Sequence, residues 1–112
     1  MASGSIAPSE ALRLEDLITP ADHGIASRVL AKNGGGSVTL FAFAGGEGLS
    51  EHTAPFDALL QVLDGSMIMT IGGKMVEAGA GEIVRLPAGV PHAVNASTAA
   101  RMLLIMLREA KP

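Results

Sequence analysis

A chain of 112 residues is the length of one domain, and folding at that size buries roughly two-thirds of the surface an unfolded chain exposes, so a single core is expected. Eight Lys and Arg against eleven Asp and Glu leave a net charge of −3, the basic residues are scattered, and the aromatics are three Phe with no Tyr or Trp. This excludes the cationic stripe and stacking platforms of a nucleic-acid partner, and the lack of cysteine excludes disulfides and thiolate metal sites.

Residues Met1 to Ser9 are small and polar and are expected to be partly disordered. The stretch "EALRLEDLI" (Glu10 to Ile18) fits a short helix or an edge strand, and its residues alone do not choose between them. Residues 1–18 are therefore set apart as an N-terminal segment, and 19–112 as the folded domain. No run reaches the ~18 apolar residues a spanning helix needs, and the start has neither a basic nor an apolar leader region, so a soluble, cytoplasmic protein with no membrane partner is expected.

From Ser27 onward the chain reads as β: "SRVLAKN", "GSVTLFAFA", "DALLQVL", "SMIMTIGG", "KMVEA", "EIVRLP", "HAVNA" and "ARMLLIMLRE". The last run also fits a buried helix by length, but its context favours strand. Asp64-Gly65 and Gly72-Gly73 sit between extended runs as two-residue hairpin turns. Short strands joined by such turns imply an all-β sandwich or barrel.

Alternation places Ala58, Leu60 and Val62 on one face of the strand after Asp57, and Leu59, Gln61 and Leu63 on the other. Both faces are largely apolar. A strand buried on two sides suits a two-sheet barrel whose outer sheet is covered by a second copy, so a homodimer is expected. The methionines along the later strands read as adaptable filler for an aliphatic interior, Phe41 and Phe43 as core or dimer contacts, and His23 as an ordinary loop residue.

Two segments carry the chemistry: "GEGLSEHTAPFDALLQVLDG" (Gly46 to Gly65) and "GEIVRLPAGVPHAVN" (Gly81 to Asn95). They resemble the two signature motifs of the cupin superfamily, G-x5-H-x-H-x3-E-x6-G and G-x5-P-x-G-x2-H-x3-N. Gly46, His52 and Gly65 fall in step with the first, and Gly81, Pro87, Gly89 and His92 with the second; Asn95 stands one residue short of the family's asparagine. The short spacing between the motifs resembles the compact single-domain bacterial members, similar to cupin 2 proteins. The resemblance implies a double-stranded β-helix, a jelly-roll barrel, with a divalent metal such as Fe, Mn, Ni or Zn held inside by the motif histidines and glutamate.

Carried over position by position, His52 and His92 match ligands, while Ala54 stands at the second histidine's place and Ala58 at the glutamate's. Two imidazoles alone hold a metal weakly, since open catalytic sites generally use three protein ligands. A third would have to come from Asp57 or Gln61, both of the wrong strand parity unless a bulge, for instance near Pro55, re-aims one of them.

With those ligands replaced by methyl groups, the lumen is expected to be a mostly apolar pocket lined by His52, Ala54, Ala58, Leu60, Val62 and His92. The leading expectation is binding of a small, largely apolar or weakly acidic metabolite, with the two histidines supplying hydrogen bonds or proton transfer. No residue is assigned a catalytic role. A metal-dependent dioxygenase or isomerase using His52, His92 and a third ligand is the alternative, and a non-catalytic structural or interaction module is the other.

Overall fold

In the computed structural model, which describes residues 5–20 and 22–108, the chain forms nine strands among the described residues: β1 (Ile25–Asn33), β2 (Gly36–Phe43), β3 (Gly48–His52), β4 (Ala58–Asp64), β5 (Ser66–Ile71), β6 (Lys74–Gly79), β7 (Ile83–Leu86), β8 (His92–Asn95) and β9 (Ala100–Leu107). The expectation for Met1 to Ser9 falls partly outside the described residues, as does the last residue of the "ARMLLIMLRE" run. That run is strand β9, and its period-2 burial at Ala100 and Met102 fits a central strand.

The strands pair antiparallel in two sheets, β1-β2-β9-β4-β7 and β3-β8-β5-β6. Chain-distant strands become neighbours in both, as in a jelly-roll barrel. Inward-facing residues of both sheets make one buried cluster, with Phe43, Leu60, Val62, Leu86 and Met102 from the larger and Met67, Met69 and Val94 from the smaller. On β4 the burial alternates as the sequence predicts, with Ala58, Leu60 and Val62 buried and the residues between them partly exposed.

The hairpin glycines behave as their turns require. Gly65 has φ +74°, and Gly72 and Gly73 have φ +56° and +84°, the left-handed region that residues with a Cβ resist.

The segment Glu10 to Ile18 is neither a full helix nor a strand. It holds a 3-10 turn at Leu14–Asp16, and its Leu14, Leu17 and Ile18 pack on a second cluster of Leu30, Leu40 and Ala42 with Leu103. Those residues belong to the outer face of the larger sheet, since they alternate with the lumen-facing set. The Arg28 guanidinium donates to the Leu17 carbonyl at 3.2 Å, tying the segment down. Part of the apolar outer face that suggested a second copy is thus covered by the chain's own N-terminal segment.

Candidate functional site

The site begins with an irregularity in β3. Leu49 pairs with Val94 and His52 with His92, so three steps along β3 match two along β8. In a regular strand, residues three apart point to opposite faces. The extra residue at Ser50–Glu51 is a β-bulge that restores His52 to the face of Leu49, toward the lumen shared with His92 and Val94. The bulge thus falls before Pro55, and it re-aims the histidine itself and not a third ligand.

The two rings meet edge to face, with centroids 4.4 Å apart and planes inclined by 66°. His92 is buried, at 6% exposure, while His52 is exposed and stands at the mouth. The Nδ1 of His52 lies 2.9 Å from the Ser50 carbonyl, and that of His92 lies 3.2 Å from the Val90 carbonyl. A carbonyl oxygen only accepts, so each Nδ1 carries a hydrogen, and a ring with that one hydrogen has its lone pair on Nε2.

Behind the rings lies a cavity of about 80 Å³ walled by Leu49, Ala54, Phe56, Ala58, Leu60 and Leu86, with Val94, Met102, Leu104 and Met106 beside the two histidines. Of the residues expected to line it, His52, Ala54, Ala58, Leu60 and His92 do. Val62 does not: it shares the face but is packed in the buried cluster, where Met67, Met69 and Met102 also lie.

Of the seven wall residues that sequence reasoning missed, three come from β9, where Met102, Leu104 and Met106 pair with Val62, Leu60 and Ala58. Their alternation was visible in the sequence. Their placement beside β4 was not, because that pairing spans some forty residues of chain.

The mouth is shaped by the β3–β4 loop, residues 53–57. The Ala54 carbonyl accepts from Gly89 N at 2.8 Å, and the Asp57 carbonyl from Leu107 N at 3.0 Å. The Asp57 carboxylate accepts from Ala88 N at 2.8 Å and lies 3.6 Å from the Arg85 guanidinium. The Arg108 guanidinium sits 5.3 Å from the Phe56 ring centroid, a cation–π contact on a wall residue.

Neither proposed third ligand joins the imidazoles. Asp57 is engaged by Ala88 and Arg85, and Gln61 shares the outer parity of Leu59 and Leu63, away from the lumen. No group of three or more His, Cys, Asp or Glu is placed to hold a metal among the described residues. Two imidazoles with no carboxylate beside them do not fit the three-ligand set of a zinc site or the facial triad of non-haem iron.

Comparison with known proteins adds the following. The sequence profile described as "Cupin domain" matches residues 39–107. A conserved protein of unknown function from Streptococcus pyogenes superposes with a TM-score of 0.89 at 27% identity, over 96% of this chain and 94% of that one. A cupin superfamily protein from Desulfitobacterium hafniense gives a TM-score of 0.86 at 26% identity, over 97% and 99%. A cupin 2 conserved barrel domain protein from Leptotrichia buccalis is 35% identical with a TM-score of 0.80, over 83% of this chain and 45% of that one. No curated protein matches the sequence. No helix among the described residues is long and apolar enough to cross a membrane.

Proposed function

The chain belongs to the cupin domain family, and on that footing we propose that its barrel binds a small, largely apolar weak acid, with the hydrocarbon end in the cavity and the acidic hydrogen on an imidazole at the mouth. The observation that carries this reading is the pair of Nδ1–carbonyl contacts. With its hydrogen on Nδ1, an uncharged ring presents Nε2 as an acceptor, and a ligand that satisfies it must bring a hydrogen. A carboxylic acid or phenol does so, and transfer of that hydrogen gives an anion beside an imidazolium, a charge-assisted contact roughly twice as strong as a neutral one.

The rest of the wall supports an apolar partner. Apart from the two histidines, its side chains are hydrocarbon or thioether. Size limits the ligand as well: an engineered apolar cavity of about 150 Å³ accommodates benzene, and this one is about 80 Å³. A short aliphatic tail fits within, and a larger group extends out past His52.

Calorimetric titration with short-chain and aromatic carboxylic acids, each paired with its methyl ester, tests the proposal. Acids are expected to bind and esters, which lack the hydrogen, to bind much more weakly; His92→Ala removes the difference. Equal affinity for acid and ester would overturn the reading.

A further inference from the structure

A second concavity lies on the outer face of the larger sheet, and it too begins with an irregular pairing. Val62 pairs with Met102 but Arg101 pairs with Asp64, so β4 carries one residue more than β9 at Leu63. Met102 belongs to the lumen cluster, and Arg101, one step along the strand, points the other way. The bulge therefore delivers Asp64 to the outer face, where its carboxylate lies 3.4 Å from the Arg101 guanidinium.

Arg101 is poorly provided for. Its side chain is only 20% exposed, and its Nε is closed to solvent with no acceptor among the described residues. The Nη1 contact with Asp64, at 3.4 Å, is longer than the ~2.7–2.9 Å of a well-formed charge-assisted bond. A buried donor with no acceptor and a charge with one long contact both cost stability, so the guanidinium gains from any further acceptor that reaches its Nη end.

The cleft beside it has a volume of about 410 Å³, within the ~300–1,000 Å³ of small-molecule pockets. One wall is the ends of β4 and β9, with Leu63, Asp64 and Arg101; the other is the N-terminal segment, with Leu12, Leu14 and a second ion pair, Arg13–Glu15 at 3.4 Å. Two guanidiniums and two carboxylates leave this set without net charge. A simple anion would meet Asp64 and Glu15 as well as the arginines, and a simple cation the reverse. A ligand that carries both signs satisfies both. An α-amino acid holds its ammonium and carboxylate on one carbon, a spacing that suits an ion pair laid antiparallel to it.

We propose that the cleft between the N-terminal segment and the ends of β4 and β9 binds a free apolar α-amino acid as its zwitterion. The ligand's carboxylate meets Arg101, with Arg13 on the facing wall, its ammonium meets Asp64 and Glu15, and its side chain lies on Leu12, Leu14 and Leu63. The site is separate from the barrel cavity and shares no lining residue with it.

The test is a nuclear magnetic resonance titration of the isotope-labelled full chain with L-leucine. The backbone amides of Leu12, Leu14, Leu63, Asp64 and Arg101 are expected to shift and saturate, while those of Ala54 and Leu86 in the barrel wall stay in place. Isocaproate, which is leucine without its ammonium group, and leucinamide, which lacks the carboxylate, are expected to saturate the cleft signals roughly 10- to 100-fold more weakly, the effect of losing a hydrogen bond to a charged group. Arg101→Gln should abolish the cleft shifts. Asp64→Asn, at a side chain 53% exposed, keeps the fold and should weaken leucine by roughly tenfold. Leu12→Ala should weaken leucine but not glycine, which has no side chain to place there. Failure of leucine to saturate the cleft signals would overturn the proposal, as would equal affinity for leucine and isocaproate at those signals, which means an anion site only, or undiminished leucine affinity in both Arg101→Gln and Asp64→Asn. Weak acids in the barrel are read at Ala54 and Leu86, so either idea can fail while the other stands.

Discussion

His52 and His92 are a cross-strand pair only because β3 carries one residue more than β8 between Leu49 and His52. Deleting Glu51 alone leaves His52 two residues from Leu49, the spacing of a regular strand, so its ring is expected to stay on the lumen face opposite His92, with the nuclear Overhauser contact between the rings kept. Deleting Ser50 and Glu51 together makes His52 the neighbour of Leu49 and turns its side chain to the opposite face. In that variant the ring contact should vanish and weak-acid affinity should fall roughly 10- to 100-fold, the equivalent of losing one hydrogen bond to a charged group. A double deletion that retains both the ring contact and the affinity would show that strand parity does not place His52.

The N-terminal segment is expected to be part of the folded unit. Ile18 is 8% exposed and packs with Leu30, Leu40 and Ala42. Truncation to Ala removes buried methyl and methylene groups and should cost about 2–4 kcal/mol, measured as a lower urea midpoint with an unchanged slope. The homodimer expected from the two-sided strand pattern then has less outer surface to cover, and sedimentation of the full chain decides the oligomeric state.

Two turn glycines that look alike in the sequence should differ in consequence. A Cβ on Gly65 would approach the Ala99 carbonyl at 2.5 Å and the Ala100 backbone at 2.9 Å, in addition to the strain of φ +74°. On Gly73, at φ +84°, it would meet nothing within 4 Å. Gly73→Ala is therefore expected to cost about 1–2 kcal/mol for its backbone conformation alone, and Gly65→Ala clearly more, because backbone must shift. Thermal melts of the two variants side by side make the comparison; equal losses would mean that the clash relaxes freely.

The strands that the sequence announces are those with an uninterrupted period, such as β4, where alternation correctly put Ala58, Leu60 and Val62 inward. β3 carried no such signal: its bulge breaks the period and most of its residues are exposed. The two histidines were legible by motif spacing, and so were Ala54 and Ala58. Phe56 and Leu86, by contrast, reach the wall through loop and sheet geometry, and Met106 through a pairing of distant strands. Local propensity does not encode which strands become neighbours, so the far wall of the cavity stayed out of reach of the sequence. Val62 shows the opposite error, in which correct parity was extended one residue too far into solid packing.

Asp57, considered from the sequence as a metal ligand, is expected to act instead as an anchor of the loop that carries Phe56. Its carboxylate bond to Ala88 N is charge-assisted but solvent-accessible, so Asp57→Ala should cost about 1–2 kcal/mol, and Asp57→Asn, which keeps an acceptor, less. Arg85→Ala breaks a 3.6 Å surface ion pair and should change stability by less than about 1 kcal/mol. If Arg85→Ala proved as damaging as Asp57→Ala in urea titrations, the ion pair and not the backbone bond would be the anchor.

Restoring a carboxylate should convert the site. Ala58 is 5% exposed and faces Met106 and Leu86 on its neighbouring strands. Ala58→Glu places a carboxyl group in a wall of hydrocarbon and thioether beside two imidazoles, and without a cation it is expected to destabilise the protein by several kcal/mol. The two-histidine, one-carboxylate set suits a dication such as zinc or manganese. A dication present at about 100 times its dissociation constant should therefore return about 2.7 kcal/mol, raising Tm in the variant. The native chain, which lacks the carboxylate, should show no comparable shift with the same ions. Pairing the change with Met106→Ala relieves crowding across the strand and should enlarge the response. A variant whose Tm ignores zinc and manganese in both backgrounds would mean that the Nε2 atoms and residue 58 do not converge, and the geometry assigned to the mouth of the barrel would have to be redrawn.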